Sequence, residues 1–182
     1  MLSFENTEIA FSSKSDKDLK RAQFLFKMIS SNLLVNSGKY LSRFAMKAHL
    51  PVAWAVKPTI YRHFVGGETI EECMPNVRVI EKHNVKAILD YSIEGTETLE
   101  EINSAMEETL KTVFNAAKDN NIPFAVFKPT AFTLETVLAK VSAGEKLSES
   151  EKKEADNFRQ RVAKLCQTAF DNGVPILIDA ED

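Results

Sequence analysis

The sequence predicts an α/β fold in which helices cover a parallel sheet. Three short apolar runs, each closed by a charged residue, alternate with amphipathic helical patterns; the runs span 87–90, 124–128 and 176–179. They are continuously apolar, which is typical of strands buried on both faces under helices. A turn with Asn, Gly or Pro precedes each run, as expected where a helix ends and a strand begins. We therefore expect three buried parallel strands.

Length and composition are those of a globular protein with one core. The chain has 182 residues, 44% of them hydrophobic and 27% charged, and a net charge of −3. That charge offers no basic footprint for a phosphate backbone, so we expect no nucleic-acid partner. No apolar stretch reaches the roughly 20 residues that span a bilayer, and the first residues lack a signal-peptide pattern. We expect a cytoplasmic protein, and the spacing of its histidines and cysteines predicts no metal site.

Residues 1–68 predict a helical arm ahead of the strands. Asp16 opens the first of two helical patterns, and Pro51 and Pro58 are expected to break the second. The aromatic residues of the arm form either a face for a membrane surface or partner, or a stripe packed against the rest of the fold. We favour packing, because aromatic stripes at helical spacing usually belong to a core. These aromatic residues are Phe24, Phe26, Phe44, Trp54, Tyr61 and Phe64.

Capping boxes mark the helices between the apolar runs. In a capping box, a hydroxyl residue and a Glu three positions later satisfy backbone N–H groups that the helix leaves without partners. Residues 133–154 predict an insertion, made of a short helix and a polar turn, before the third long helix. The three capping pairs are Thr69 with Glu72, Thr98 with Glu101 and Ser148 with Glu151.

The charged residues that close the apolar runs are the candidate site. Asp90, Lys128 and Asp179 fall at the carboxyl ends of the predicted strands, where ligands bind in α/β sheets and barrels. Each alone has an ordinary explanation as a helix cap or a surface ion pair, but three in register favour a site. A lysine among carboxylates suits a ligand that carries a carboxylate, whereas strand-end lysines also form Schiff bases in aldolase-type barrels. Residue types leave both chemistries open.

Four ordered motifs carry a resemblance to a known family. They are FVGGETIEE at 64–72, AILDYSIEG at 87–95, VFKPTA at 126–131 and IDAE at 178–181. In this order and spacing they resemble the landmarks of the proline dehydrogenase family, with the arm matching more loosely. The resemblance implies a partial (βα)8 TIM-type barrel of about three strands at 69–182, behind the helical arm at 1–68.

The resemblance also implies an activity. Members of this family are FAD-dependent enzymes that oxidise L-proline to 1-pyrroline-5-carboxylate, transfer a hydride to the flavin and pass the electrons to a membrane quinone. For this chain the resemblance implies FAD as cofactor, L-proline and a quinone as partners, and a cytoplasmic protein that meets the inner membrane at its periphery.

Site roles follow from the same resemblance. Asp179 matches a catalytic strand-end aspartate, and Lys128 matches the lysine that contacts the substrate carboxylate and pairs with a glutamate, here Glu94. Ala180 matches the residue whose backbone lies near the flavin. The residues expected to support the site are Asp90, Glu94, Thr130 and Glu181.

Two departures from the family pattern shape the expectation. Pro129 follows Lys128 directly, so the second strand must end there or lie at an edge. The later strands of the barrel, with the arginines that clamp the substrate carboxylate, have no counterpart up to Asp182. We therefore expect a fragment with little activity alone, completed by a complementary C-terminal half. The alternatives are a non-catalytic α/β interaction or regulatory module and an aldolase-type Schiff-base barrel.

Overall fold

A computed structural model of the chain describes residues 5–93 and 96–179, apart from the side chain of Ala55. The chain divides into two compact units, Met1–His83 and Asn84–Asp182. The predicted boundary between a helical arm (1–68) and the first part of a barrel (69–182) stays a prediction. Among the described helices, none combines the length and apolar character needed to cross a membrane.

The described residues of the first unit form helices joined by short turns. The elements are α1 (Thr7–Ala10), α2 (Asp16–Ile29), α3 (Asn32–Lys47), α4 (Ala53–Val56), a π-helical turn (Lys57–Tyr61), α5 (Arg62–Phe64) and α6 (Ile70–Glu81). Helix α2 begins at Asp16, as predicted, because the hydroxyl oxygen of Ser15 accepts a hydrogen bond from the Asp18 N–H at 3.2 Å. The predicted start of α2 is therefore correct.

Pro58 does not break the second helical region as predicted. It lies at the start of the π-helical turn, which runs without interruption between α4 and α5. Proline is tolerated in the first turn of a helical segment, and a wider hydrogen-bond register accommodates its missing N–H. Pro51, in contrast, follows the end of α3, where a chain break was expected.

Most of the aromatic residues in the first unit are at least half exposed within the described structure. The exposed fractions are 65% for Phe24 and Phe44 and 78% for Trp54. Phe26, His63 and Phe64 form an edge-to-face cluster with ring centroids 4.8 to 6.3 Å apart, which joins α2 to α5. The packing of this aromatic stripe against a barrel stays a prediction.

The second unit combines helices with a small parallel sheet. Its elements are α7 (Leu99–Ala116), β1 (Ala125–Phe127), a 3₁₀ turn (Pro129–Ala131), α8 (Glu135–Ser142), α9 (Glu149–Asp171) and β2 (Ile176–Ile178). Strands β1 and β2 are parallel, with Ala125 opposite Ile176 and Phe127 opposite Ile178. The short helix and turn predicted as an insertion are present as α8 and the residues that follow it.

The apolar run 87–90 does not form the strand that we predicted. It contributes a single parallel bridge, from Leu89 to Ala125, and one further backbone hydrogen bond, from Ala87 N to Asn121 O at 2.8 Å. Its pairing with β1 is limited to this one bridge, which gives too few ladder hydrogen bonds for a regular strand. The described sheet therefore has two strands instead of three.

Full burial is seen on one face of β1 only, since Val126 on its other face is half-buried. Ala125 and Phe127 are almost completely buried, whereas Leu177 and Ile178 of β2 are 41% and 65% exposed. Within the described part of the chain, β2 is paired on one side only, and its outer edge lies open. A complete parallel barrel is thus not visible in the described residues.

The core of the second unit lies between α7, β1 and α9. Helix α7 directs one apolar face inward, and α9 packs along it. The side chain of Phe132, which is fully buried, stacks on Phe127 with ring centroids 5.1 Å apart. The largest fully buried apolar side chains are Ile102, Val113, Ile122, Phe132 and Leu165.

Local signals at the helix ends were mostly read correctly. Full capping boxes are present at Thr98 and Ser148, while at Thr69 the Glu72 carboxylate instead accepts from the neighbouring Glu68 N–H. Asn84 and Gly173 take the left-handed conformation that was expected where helices end, with φ of 58° and 68°. These caps fix where the chain turns toward each apolar run.

Glu151 links the start of α9 to α8, and its charge should stabilise the fold at neutral pH. The Lys140 ammonium and the Ser148 N–H and hydroxyl donate hydrogen bonds to this carboxylate and lower its pKa from 4.5 to about 2. A lowered folded-state pKa stabilises the fold above pH 4.5 and ceases to do so as the pH falls toward 2. We expect Glu151→Gln to unfold at lower urea concentration than wild type at neutral pH, with the difference vanishing as the pH falls through this window.

The control for this measurement is Glu149→Gln, which neutralises an exposed carboxylate in the same helical turn. A gap between wild type and Glu151→Gln that persists at pH 2 would contradict the electrostatic explanation. In that case the substitution would act through packing.

Candidate functional site

Two of the predicted site residues meet at the carboxyl end of the sheet. Lys128 directly follows β1 and Asp179 directly follows β2, and the Lys128 Nζ lies 2.8 Å from the Asp179 Oδ2. The Asp179 N–H donates to the Phe127 carbonyl oxygen at 3.0 Å and extends the ladder by one residue. The parallel register therefore makes neighbours of two residues that lie 51 positions apart in sequence.

The two charged groups differ in their exposure. The Lys128 side chain is 10% exposed, whereas that of Asp179 is 48% exposed. A nearly buried ammonium requires anionic or carbonyl partners, and Asp179 supplies one of them from the solvent-facing side.

Asp90 lies after the run that bridges to β1. Its carboxylate is exposed and accepts a hydrogen bond from the Ser92 hydroxyl at 3.5 Å. Because Leu89 pairs with Ala125, Asp90 follows the next backbone segment along the same edge. Its predicted supporting role at the site stays a prediction.

Thr130 lies in the 3₁₀ turn that follows Lys128. Its carbonyl oxygen accepts a hydrogen bond from the Thr96 hydroxyl at 3.1 Å, and the residue is half-buried. The other predicted site residues, Glu94, Ala180 and Glu181, lie outside the described residues. Their roles, including the pairing of Glu94 with Lys128, stay predictions.

A buried polar cluster behind the site was missed by the sequence analysis. Glu154 of α9 accepts hydrogen bonds from Arg161 Nη1 at 2.7 Å and from the Thr133 hydroxyl at 3.3 Å. Burial raises the pKa of Glu154, but the hydrogen bonds from Arg161, Asn157 and Thr133 outweigh it and hold the pKa below 4.5. The sequence did carry a signal, because Glu154 lies four residues before Phe158 on the apolar stripe of α9.

A crevice of about 480 Å³ lies at the other end of the sheet. Its lining includes Pro123 and Val174, which precede β1 and β2, together with Lys86 and Asn120. Parallel sheets bind their ligands at the carboxyl ends of the strands, so this crevice is at the end opposite to Lys128. Among the described residues, no group of three His, Cys, Asp or Glu side chains is placed to hold a metal ion.

The second unit is an α/β arrangement in which a cation and a carboxylate lie at the carboxyl ends of adjacent parallel strands, the edge at which α/β proteins bind their ligands. The chain belongs to the proline dehydrogenase family, since the model of that family, described as proline dehydrogenase, matches residues 73–182. The predicted resemblance to this family is thereby confirmed, and the matched residues include the motifs at 87–95, 126–131 and 178–181.

Three curated relatives show the extent of the likeness. Carbapenem antibiotics biosynthesis protein CarD of Pectobacterium carotovorum subsp. carotovorum is 29% identical over 118 residues, covering 65% of this chain and 31% of CarD. Proline dehydrogenase 1, mitochondrial, of Caenorhabditis elegans is 37% identical over 135 residues, 72% of this chain and 20% of the relative. The protein of the same name from Dictyostelium discoideum is 26% identical over 215 residues, 97% of this chain and 38% of the relative. The chain thus spans less than half the length of each of these relatives.

The expected cytoplasmic location is wrong by the same comparison. Four relatives, from C. elegans, D. discoideum, Drosophila melanogaster and Arabidopsis thaliana, are named mitochondrial, which points away from the cytoplasm. Composition and fold do not reveal the destination of a protein, because targeting is carried by separate segments that the folded domain does not need.

The ion pair between Lys128 and Asp179 should contribute little to stability. Lys128 is nearly buried, and replacing a buried ion-pair member by an apolar residue of similar volume is often close to neutral when its partner, here the half-exposed Asp179, can be solvated. We expect Lys128→Met to change the free energy of unfolding by less than about 1 kcal/mol in urea titrations. As a positive control, Leu165→Ala removes a fully buried side chain and should cost about 2–5 kcal/mol. A cost for Lys128→Met that matches Leu165→Ala would show that Lys128 serves the fold and not a site.

Proposed function

We propose that this chain is the front portion of an FAD-dependent proline dehydrogenase and supplies one wall of its active site. The observation that carries the proposal is the pair of Lys128 and Asp179, joined at 2.8 Å at the carboxyl ends of two parallel strands. Membership of the proline dehydrogenase family supports L-proline as the substrate. In this proposal the run at 87–90, β1 and β2 are three successive strands of a (βα)8 barrel. The remaining strands lie in a complementary C-terminal half.

Lys128 binds the substrate carboxylate in this proposal. Its ammonium is nearly buried and held by a carboxylate, so a second carboxylate can compete for the same donor. Schiff-base formation needs a lysine nitrogen that is open to a carbonyl substrate, whereas the Lys128 Nζ is nearly buried and lies 2.8 Å from the Asp179 carboxylate. This geometry favours carboxylate binding over the aldolase-type alternative.

Asp179 and the residues after it face the reacting part of the substrate. Ile178, 65% exposed beside the ion pair, presents an apolar surface that fits contact with a flat flavin ring. When bound, FAD would accept the hydride that leaves the ring carbon next to the proline nitrogen. Asp179 orients the ring nitrogen through its carboxylate, and Ala180 brings its backbone near the flavin. Asp90, Glu94, Thr130 and Glu181 support these groups.

The rest of the site comes from outside this chain. The chain spans between about a fifth and two fifths of the curated relatives that it matches, which supports a complementary C-terminal half. Electrons leave the reduced flavin for a quinone. The names of four relatives support a mitochondrial location.

Reconstitution tests this function. The purified chain with FAD should not reduce a dye when L-proline is added, and addition of the complementary C-terminal portion should start proline-dependent dye reduction. In that assembly Lys128→Met should raise the KM for L-proline by about tenfold or more, because a charge-assisted contact is lost. Lys152→Met, which removes an exposed lysine on α9, is the matched control. Proline-dependent reduction by the chain alone, or an unchanged KM, would refute the proposal.

The first unit supports a contact with a membrane surface. Residues 19–67 contain eight Lys and Arg residues and no Asp or Glu. On α3 the basic residues Lys39, Arg43 and Lys47 recur every four positions, and all three are exposed. Phe44 and Leu41 on the same helix are 65% and 69% exposed. Exposed aromatic and aliphatic side chains beside a basic stripe fit an anionic lipid surface, where a quinone would be met.

Vesicle sedimentation tests the membrane contact. We expect the chain to bind vesicles that contain anionic phospholipid and to dissociate from them at high salt. It should not bind neutral vesicles. The variant Lys39→Glu, Arg43→Glu, Lys47→Glu should bind at least about a hundredfold more weakly, since each basic residue contributes about 1 kcal/mol. The control changes Lys152, Lys153 and Lys164 of α9 to Glu. Equal loss in both variants would show only a general charge effect.

A further inference from the structure

The chain segment that carries Lys128 is held on both sides. Before Lys128, Phe127 is fixed by the strand ladder, and after it the 3₁₀ turn begins at Pro129. The turn is closed by the Ala131 N–H, which donates to the Lys128 carbonyl oxygen at 3.1 Å. The direction in which the Lys128 side chain leaves the backbone therefore depends on what holds this turn.

Two side chains from elsewhere in the unit bind backbone carbonyl groups of residues 130–133. The buried Thr96 hydroxyl, which is 3% exposed, donates to the carbonyl oxygens of Thr130 at 3.1 Å and Thr133 at 3.0 Å. Arg161 Nη1, which is part-buried, donates to the Phe132 carbonyl oxygen at 3.0 Å. Thr130 belongs to the 3₁₀ turn, and Phe132 and Thr133 lie directly after it, so these bonds hold the turn and the chain that leaves it.

Glu154 determines where Arg161 points. Its Oε1 accepts from Arg161 at 2.7 Å and from the Thr133 hydroxyl, and its Oε2 accepts from Asn157 at 3.1 Å. The Glu154 and Arg161 side chains are only 9% and 16% exposed, so both charges depend on this geometry. A buried ion pair is weak evidence for a contribution to stability, since apolar residues of similar volume often replace one without loss.

We propose that Thr96, Glu154 and Arg161 form a loop clamp that positions Lys128 against Asp179. The proposal rests on the proposed function, because Lys128 is the group that binds the substrate carboxylate there. The clamp touches neither the substrate nor the flavin in this account; its members are positioning residues. They act on the backbone between 130 and 133, and through it on the angle of the Lys128 side chain.

Acylation of lysine amines tests the clamp without proline turnover. A short pulse of an acylating reagent on the folded chain, followed by peptide mass spectrometry, gives the modification rate of Lys128 relative to the exposed Lys152. Glu154→Leu with Arg161→Met should raise that ratio by about threefold or more, as expected for residues that share one network. The variant should unfold at lower urea concentration than wild type, because the Phe132 carbonyl and the Thr133 hydroxyl lose these partners, so the acylation is read well below its unfolding transition.

The matched control is the exposed pair on the same helix, Asp156 and Arg159, joined at 2.7 Å. Asp156→Asn with Arg159→Met should leave the ratio unchanged. Thr96→Val serves as a second, nearly isosteric variant if the double variant does not fold, and it too should raise the Lys128 rate. A wild-type ratio in a folded clamp variant overturns the proposal, whatever the fate of the proline assay.

Discussion

The parallel pairing of β1 with β2 is the interaction on which the second unit depends. It sets a register in which the residue after Phe127 lies beside the residue after Ile178, so that the next pair is Lys128 and Asp179. Helix α7 packs against β1 and against α9, and Phe127 and Phe132 are buried in this core. The charged pair at the strand ends is therefore a consequence of backbone hydrogen bonding, and its own electrostatic attraction contributes little to the fold.

The buried cluster of Glu154 and Arg161 gives this arrangement its precision. Strand β1 has three residues and ends at Phe127, so Lys128 has little ladder to hold it before the turn begins at Pro129. Thr96 and Arg161 donate to carbonyl groups in this turn and directly after it, where water would otherwise be needed. In our proposal, Glu154 and Arg161 on α9 therefore hold the backbone next to Lys128 instead of facing solvent.

Local features could be predicted from the sequence, and features that depend on neighbours could not. The boxes at Thr98 and Ser148 involve residues three apart, so the starts of α7 and α9 followed directly from the sequence. The composition of the run at 87–90 predicts a strand, but strand formation depends on a neighbouring segment with which a ladder can form, and this run forms one bridge. The pairing of Lys128 with Asp179 was expected only as a shared location, because residue types carry no register.

Lysine side-chain NMR tests the central claim most directly. In the chain assembled with FAD and its complementary half, the ¹⁵N resonance of the Lys128 ammonium can be followed as L-proline is added under anaerobic conditions. The account predicts that this resonance shifts with saturation while those of Lys152 and Lys164 stay in place. If the Lys128 chemical shift stays unchanged while L-proline reduces the flavin, the strand-end pair does not bind the substrate carboxylate.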